Sequence, residues 1–288
     1  MSKLLQTLML GCLIGMVAVG CKPTAGPSVS SVPGPEPSEP AAETAPAETP
    51  EAEAPAAPEA PAAPAVDPAL VEALKEGLVA HWKFDSNEGL KDTVAGHALV
   101  PYQGQDGVNL GVVPGGGIRF SGDDTVMSED TAVSDAIGGG SLTLSCWFRT
   151  EDFESADMLC GFSTKAPSFY VLELRLHGEE SVLFNVQDLS HQDTNNGNNN
   201  VSGGARVNNG NWHHIVGVRD FGNTLSLYLD GKFVRSTEDY GWALPTGVPF
   251  FLSGLRPVKG DIDDVSVWSR ALSAEEVAAL HATGAHAG

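Results

Sequence analysis

The chain has 288 residues, with 37 acidic against 16 basic side chains and a formal charge of −21. A surface of that sign repels nucleic acid and anionic lipid, so neither is a partner for the protein's own side chains. Neutral glycans, cationic partners and Ca²⁺ remain compatible with it.

The first twenty residues carry Lys3 and then an apolar stretch, Leu4 to Val19, that ends in small residues. Charge, apolar core and small-residue end are the plan of a secretory signal. The run falls short of the about 20 apolar residues a membrane-spanning helix needs. Ala18-Val19-Gly20-Cys21 resembles the lipobox of bacterial lipoproteins, with Ala18 where that family most often has Leu. The resemblance implies cleavage before Cys21 and a diacylglycerol thioether on its sulfur. With Lys22 rather than Asp next, it implies a lipid-anchored, extracytoplasmic place in the cell envelope, the outer membrane favoured. Membrane contact then runs through the acyl chains alone, at roughly 0.8 kcal/mol per buried CH₂. The alternative is ordinary cleavage that leaves Cys21 a free thiol.

From Lys22 to about Val66 the chain is almost entirely Pro, Ala, Glu, Ser and Thr, with no aromatic residue. No core can form there to offset the entropy of ordering, so residues 21–76 read as the lipidated cysteine and a disordered tether. Asp67 to Leu74 patterns as a short amphipathic helix, with Asp67 at the N-cap and Pro68 in the first turn. The folded domain is placed at residues 77–288. From Gly77 onward, 13 Lys and Arg against 27 Asp and Glu leave it a charge of about −14.

Strand signals dominate this part. Ser141 to Arg149 alternates with period two and sets Leu142, Leu144, Cys146 and Phe148 on one face. Ser168 to Leu176 and Ser181 to Val186 pattern as two more strands. Leu225 to Leu229 meets Lys232 to Val234 across Asp230-Gly231, a hairpin signal because both central residues need positive φ. Ser273-Ala274-Glu275-Glu276 is a capping box, with Leu272 able to staple onto Val277, and opens a helix to about His281. Many short strands and one closing helix predict an all-β protein: an antiparallel β-sandwich or jelly roll with a short C-terminal helix.

Several segments carry a more specific likeness. Gly77-Leu78-Val79-Ala80-His81-Trp82-Lys83-Phe84-Asp85 resembles the opening strand of the laminin-G-like jelly rolls in the concanavalin A-like lectin/glucanase superfamily. Ile118 to Asp124, Leu142 to Arg149 and Asn211 to Gly231 resemble the signatures that follow. Gly260-Asp261-Ile262-Asp263-Asp264-Val265-Ser266-Val267-Trp268 through Ser273 resembles the closing strand and helix. The matches come in family order from Gly77 to Gly284. The resemblance implies a structural Ca²⁺ near the start of the domain and the closing strand, with Asp85, Asp92, Asp263 and Asp264 as ligands and Asp123 or Asp124 as additions. Solvated loop acids are the alternative reading of these aspartates.

Other candidates come from the residues themselves. His191 to Asn200 is an amide-rich run, from which Asn195 and Asn198 are candidates for sugar hydroxyls, with Tyr240 and Trp242 as a stacking platform. Cys146 and Cys160 remain once Cys12 leaves with the signal. Folding the chain back near Phe153 sets them opposite each other as a disulfide candidate, and an exported compartment permits the bond. A buried thiol at Cys146, on the apolar face, is the alternative. His213-His214 does not read as a metal pair, because neighbours on a strand point to opposite faces. No Glu-x-Asp-x-x-Glu strand, nucleophile elbow or phosphate loop is present, so the domain reads as a binder and not as an enzyme. The expected function is recognition of a polysaccharide or a surface protein. The alternatives are an assembly role with no soluble ligand and an atypical glycoside hydrolase.

Overall fold

The computed structural model describes residues 66–85, 89–102, 111–152, 157–164, 170–178, 181–188, 198–254, 256–284 and 286. The expected export segment, Cys21 and most of the tether lie outside them. Fifteen strands and three helices follow in order: α1 (Pro68–Ala73), β1 (Leu78–Trp82), β2 (Leu99–Pro101), β3 (Gly111–Val112), β4 (Ile118–Ser121), β5 (Val126–Ser128), α2 (Ala132–Ile137), β6 (Leu142–Arg149), β7 (Met158–Ser163), β8 (Tyr170–His177), β9 (Ser181–Gln187), β10 (Asn198–Gly203), β11 (His213–Asp220), β12 (Thr224–Leu229), β13 (Lys232–Glu238), β14 (Phe250–Leu252), β15 (Lys259–Trp268) and α3 (Ala274–Thr283).

The strands form two antiparallel sheets. The first runs β13-β12-β11-β6-β15-β4-β3, with β1 paired to the second half of β15. The second runs β10-β9-β8-β7-β14-β5-β2. Alternation sends Leu142, Leu144, Cys146 and Phe148 of β6 into the core, where they join Leu172, Leu174 and Leu176 of β8 and Phe184 of β9. The sheets approach tightly at Gly217 on β11, where a Cβ would lie 2.5 Å from the Phe184 ring.

A second apolar cluster covers the outside of the first sheet. Val216, Val218, Tyr228 and Trp268 pack there under Leu74, Leu272 and Val277. Ser273 makes the expected capping box with Glu276, and Asp67 caps α1 by accepting from the Ala69 N–H. Trp268 Nε1 donates to the Leu74 carbonyl at 2.7 Å, and Arg270 donates to the Ala73 and Glu76 carbonyls while pairing with Glu276. The folded body therefore includes Asp67 to Glu76, which the boundary at Gly77 leaves outside. Asp230 and Gly231 take φ of 51° and 70°, as the hairpin signal requires.

The hairpin route by which Cys146 and Cys160 were expected to meet is corrected. Cys146 and Cys160 are both free and buried. β6 and β7 do not pair with each other: β6 lies between β11 and β15, and β7 between β8 and β14. The two thiols meet across the core instead, where burial and the neighbouring Cys146 push the Cys160 thiol well up.

Candidate functional site

At one rim of the sandwich a hydrogen-bonding side chain ties together the edges of the two sheets, β10 and β13. Asn199, 3% exposed, donates to the Glu238 carbonyl at 3.0 Å and accepts from the Tyr240 N–H at 3.2 Å. The segment after β13 is held from below by Arg219, which β11 places on the core side of its sheet. Arg219 Nε donates to Asp239 Oδ2 at 3.0 Å, and its Nη2 donates to the Trp242 carbonyl. The same Asp239 oxygen accepts from the Gly222 N–H at 2.7 Å, which ties in the β11–β12 turn.

Three aromatic residues stand on this frame. Tyr240 is 57% exposed and meets the half-buried Trp242 edge to face, with centroids 5.2 Å apart. Phe221 is 42% exposed and lies 4.8 Å from the Arg219 guanidinium. Exposed rings on a fixed backbone keep their contact area without an ordering cost on binding.

The rim thus unites Tyr240 and Trp242 with an asparagine, although with Asn199 in the bridging position. Alternation turns Asn198 to the other side of β10, where it is exposed, and Asn195 lies outside the described residues. The sequence reading did not identify Asn199, Phe221, Arg219 or Asp239. One signal was present: period two from Ile215 through Gly217 puts Arg219 on the buried face of β11, where an arginine needs an acidic partner.

The aspartates expected to hold calcium divide into two groups. Asp92 accepts from the backbone N–H groups of Val94, Ala95 and His97 and fixes its own turn. Asp124 does the same for Ser121, and Asp123 is exposed. Asp85, Asp263 and Asp264 do come together. A bulge in β15 lies between Asp263 and Ser266, and Asp264 takes φ 45°. Asp263 Oδ2 and Asp85 Oδ1 lie 2.8 and 3.6 Å from the point where a Cβ on Gly116 would sit. Burial, with added repulsion from Asp264 and Asp85, lifts the Asp263 carboxyl to about 7.

In this arrangement Asp263 Oδ1 accepts from the Asp264 N–H, while His286 Nε2 sits 2.7 Å from Oδ2. His81 Nε2 lies 3.0 Å from Asp264 Oδ1. Asp85 and Asp263 thus approach each other, Asp264 turns to His81, and Asp92 is committed to backbone N–H groups. Among the described residues no three His, Cys, Asp or Glu side chains converge as a metal cage.

The sequence model of one family, described as the concanavalin A-like lectin/glucanases superfamily, matches residues 120–278. By sequence alone, no curated protein matches the chain. Among solved structures, the binding domain of Paraclostridial Mosquitocidal Protein 1 matches with a TM-score of 0.57 and 17% identity, over 72% of this chain and 52% of that one. Domain 4 of AbnA, an extracellular arabinanase from Geobacillus stearothermophilus, was solved with arabinotriose. It matches with a TM-score of 0.56 and 18% identity, over 71% of this chain and 98% of that domain. The binding domain of botulinum neurotoxin DC, solved with rat synaptotagmin II, matches at 0.55 and 12% identity, over 71% and 51%. The chain spans about half the length of the two toxin domains. At these identities the likeness is one of fold.

Proposed function

Because the chain belongs to the concanavalin A-like lectin/glucanases superfamily, we propose that it is a non-catalytic recognition protein that binds a saccharide at the Tyr240–Trp242 rim. The observation that carries this is an aromatic pair, Tyr240 exposed and Trp242 half-buried, on a backbone fixed by Asn199, Asp239 and a fully buried Arg219. Few side chains expose this much apolar surface, and a sugar ring's C–H face is a suitable partner for it. Neighbours of the same fold support binding over hydrolysis: one is a domain complexed with arabinotriose and others are named as binding domains.

An assembly surface would need a broad apolar patch. The exposed large apolar side chains among the described residues are Val94, Phe221, Phe233 and Tyr240, and two of these four belong to the rim. The further parts of the proposal are display from the cell envelope through lipid on Cys21 and a supporting Ca²⁺ at Asp85, Asp263 and Asp264. If bound there, the ion would supply positive charge between three carboxylates.

A glycan array probed with the chain and with Tyr240→Ala tests the reading. A selective signal that the variant loses, with an unchanged melt, is the expected result. A signal that survives Tyr240→Ala moves the site elsewhere, and silence from the folded wild type removes the saccharide reading.

A further inference from the structure

Away from the rim, three adjacent strands of the first sheet carry a row of charge on their outer side. Pairing sets Arg119 on β4 opposite Asp261 on β15, and Asp261 opposite Arg149 on β6. The alternation that buries Ile118, Phe120, Ile262 and Phe148 turns these three outward. Asp261 Oδ1 accepts from Arg119 Nε at 2.7 Å. Its Oδ2 accepts from Arg119 Nη2 at 3.0 Å and from Arg149 Nε and Nη2 at 3.0 and 2.5 Å. Asp261 is 4% exposed, and both its oxygens are taken.

Two guanidinium groups thus share one carboxylate, and the row keeps an unmatched positive charge. Nη1 of Arg119 and Nη1 of Arg149 take no part in it and have no partner among the described residues. Arg119 is 59% exposed, and Arg149 is steadied 4.9 Å over the Trp212 ring. In front of the row lies a groove of about 910 Å³. Gly260 and Gly210 line its floor, Glu151 lies against Gly210, and over the whole lining Arg119, Arg149 and Lys259 are balanced by Glu151, Asp152 and Asp261. A Cβ on Gly260 would lie 2.4 Å from the Arg149 carbonyl oxygen, so only glycine fits. The hydroxyl groups of the wall are spent: Thr150 donates to the Asp152 and Lys259 carbonyls, and Ser121 to Asp124. Lys259 adds a further cation, paired at 3.2 Å with an Asp152 that is itself exposed.

The positive excess is confined to the arginine row, two guanidinium groups to one carboxylate, and that row of N–H donors selects a ligand that is anionic and rich in acceptors. Guanidinium forks match carboxylates in particular. We infer that this groove is a second saccharide site, which takes an acidic sugar. The uronate carboxylate accepts from the outward Nη1 groups of Arg119 and Arg149, and the ring lies over the glycine floor. The site is separate from the rim and does not depend on the rim binding anything.

Calorimetric titration of the chain with linear trigalacturonate and with its methyl ester tests the assignment. The acid is expected to bind, with added salt weakening it, and the ester to bind at least about tenfold more weakly. Arg119→Gln should weaken the acid by about tenfold, while Tyr240→Ala leaves it unchanged. Because Arg119→Gln exposes Asp261 to a partial loss of partners, the wild type's arginine Nε–Hε resonances give a second readout. Those of Arg119 and Arg149 should shift as the acid is added. Equal affinity for acid and ester, or arginine resonances that stay in place, overturns the inference. So does loss of the acid in Tyr240→Ala, which would hand it to the rim. A rim that binds no neutral glycan while the groove still takes the acid refutes the rim reading alone.

Discussion

His213 and His214 stand side by side on β11 and live in different surroundings. His213 lies part-buried at the end of the core side, beside Phe148, with Nδ1 2.9 Å from Asp230 Oδ2, while His214 is buried on the opposite side with Nε2 2.8 Å from Ser145 Oγ and its ring stacked on Trp147. The period of two separates them, and the sequence suffices for that much. Burial, with the neighbouring His281, depresses His214 to about 3. Between that value and the ordinary 6.5, the unfolded chain holds a proton at this position that the folded chain refuses. Stability therefore rises with pH across the window and is lost as pH falls from about 6.5 towards 3. His214→Gln keeps a polar partner for Ser145 and lacks the titration. Its urea midpoint should fall less than the wild type's between about pH 7 and about pH 4.5. His281 and His286, also depressed by burial, act in the same sense and Asp263, raised by burial, in the opposite one, and all three are common to both proteins. An identical drop in both proteins would show that His214 is not the source.

Elements defined by local pattern were legible: β6 from strict alternation, the β12–β13 hairpin from Asp230-Gly231, and α3 from its capping box. Long-range pairing was not. Nothing local says that β6 and β7, adjacent in sequence, enter different sheets, and the assumption of a hairpin there produced the wrong cysteine geometry. Nor does the sequence before Gly77 announce that Leu74 will be held by Trp268, because the contact spans most of the chain. Gly217 is another product of distance, small because Phe184 of the facing sheet fills its place. Gly217→Ala should overpack the interface and destabilise the fold by about 1–3 kcal/mol. Gly140→Ala, where nothing lies within 4 Å of the new Cβ, is the control and should change little. Denaturant midpoints compare the two, and equal midpoints would mean that the sheets part easily at Gly217.

For the whole molecule, the acidic cluster is where distant parts of the chain are fastened. Asp85 follows β1, Gly116 lies between β3 and β4, Asp263 and Asp264 sit in the bulge of β15, and His286 follows α3. The family resemblance singled out these three aspartates, and nothing in the sequence signalled that His286 and His81 would face them, since neither histidine belongs to a ligand spacing. Two kinds of partner for these carboxylates are therefore in competition, the histidine rings and a cation. If the histidines suffice, Ca²⁺ and EDTA leave the melting temperature where it is. The proposal that Ca²⁺ supports the domain requires otherwise: an ion at about a hundred times its Kd should add about 2.7 kcal/mol of stability, and EDTA should remove it. Asp263→Asn should abolish that response. Asp92→Asn should keep it while lowering the melt in both conditions, because Asp92 holds only backbone N–H groups. A Ca²⁺ response lost in Asp92→Asn but retained in Asp263→Asn would place the ion in the wrong half of the cluster and reverse the assignment.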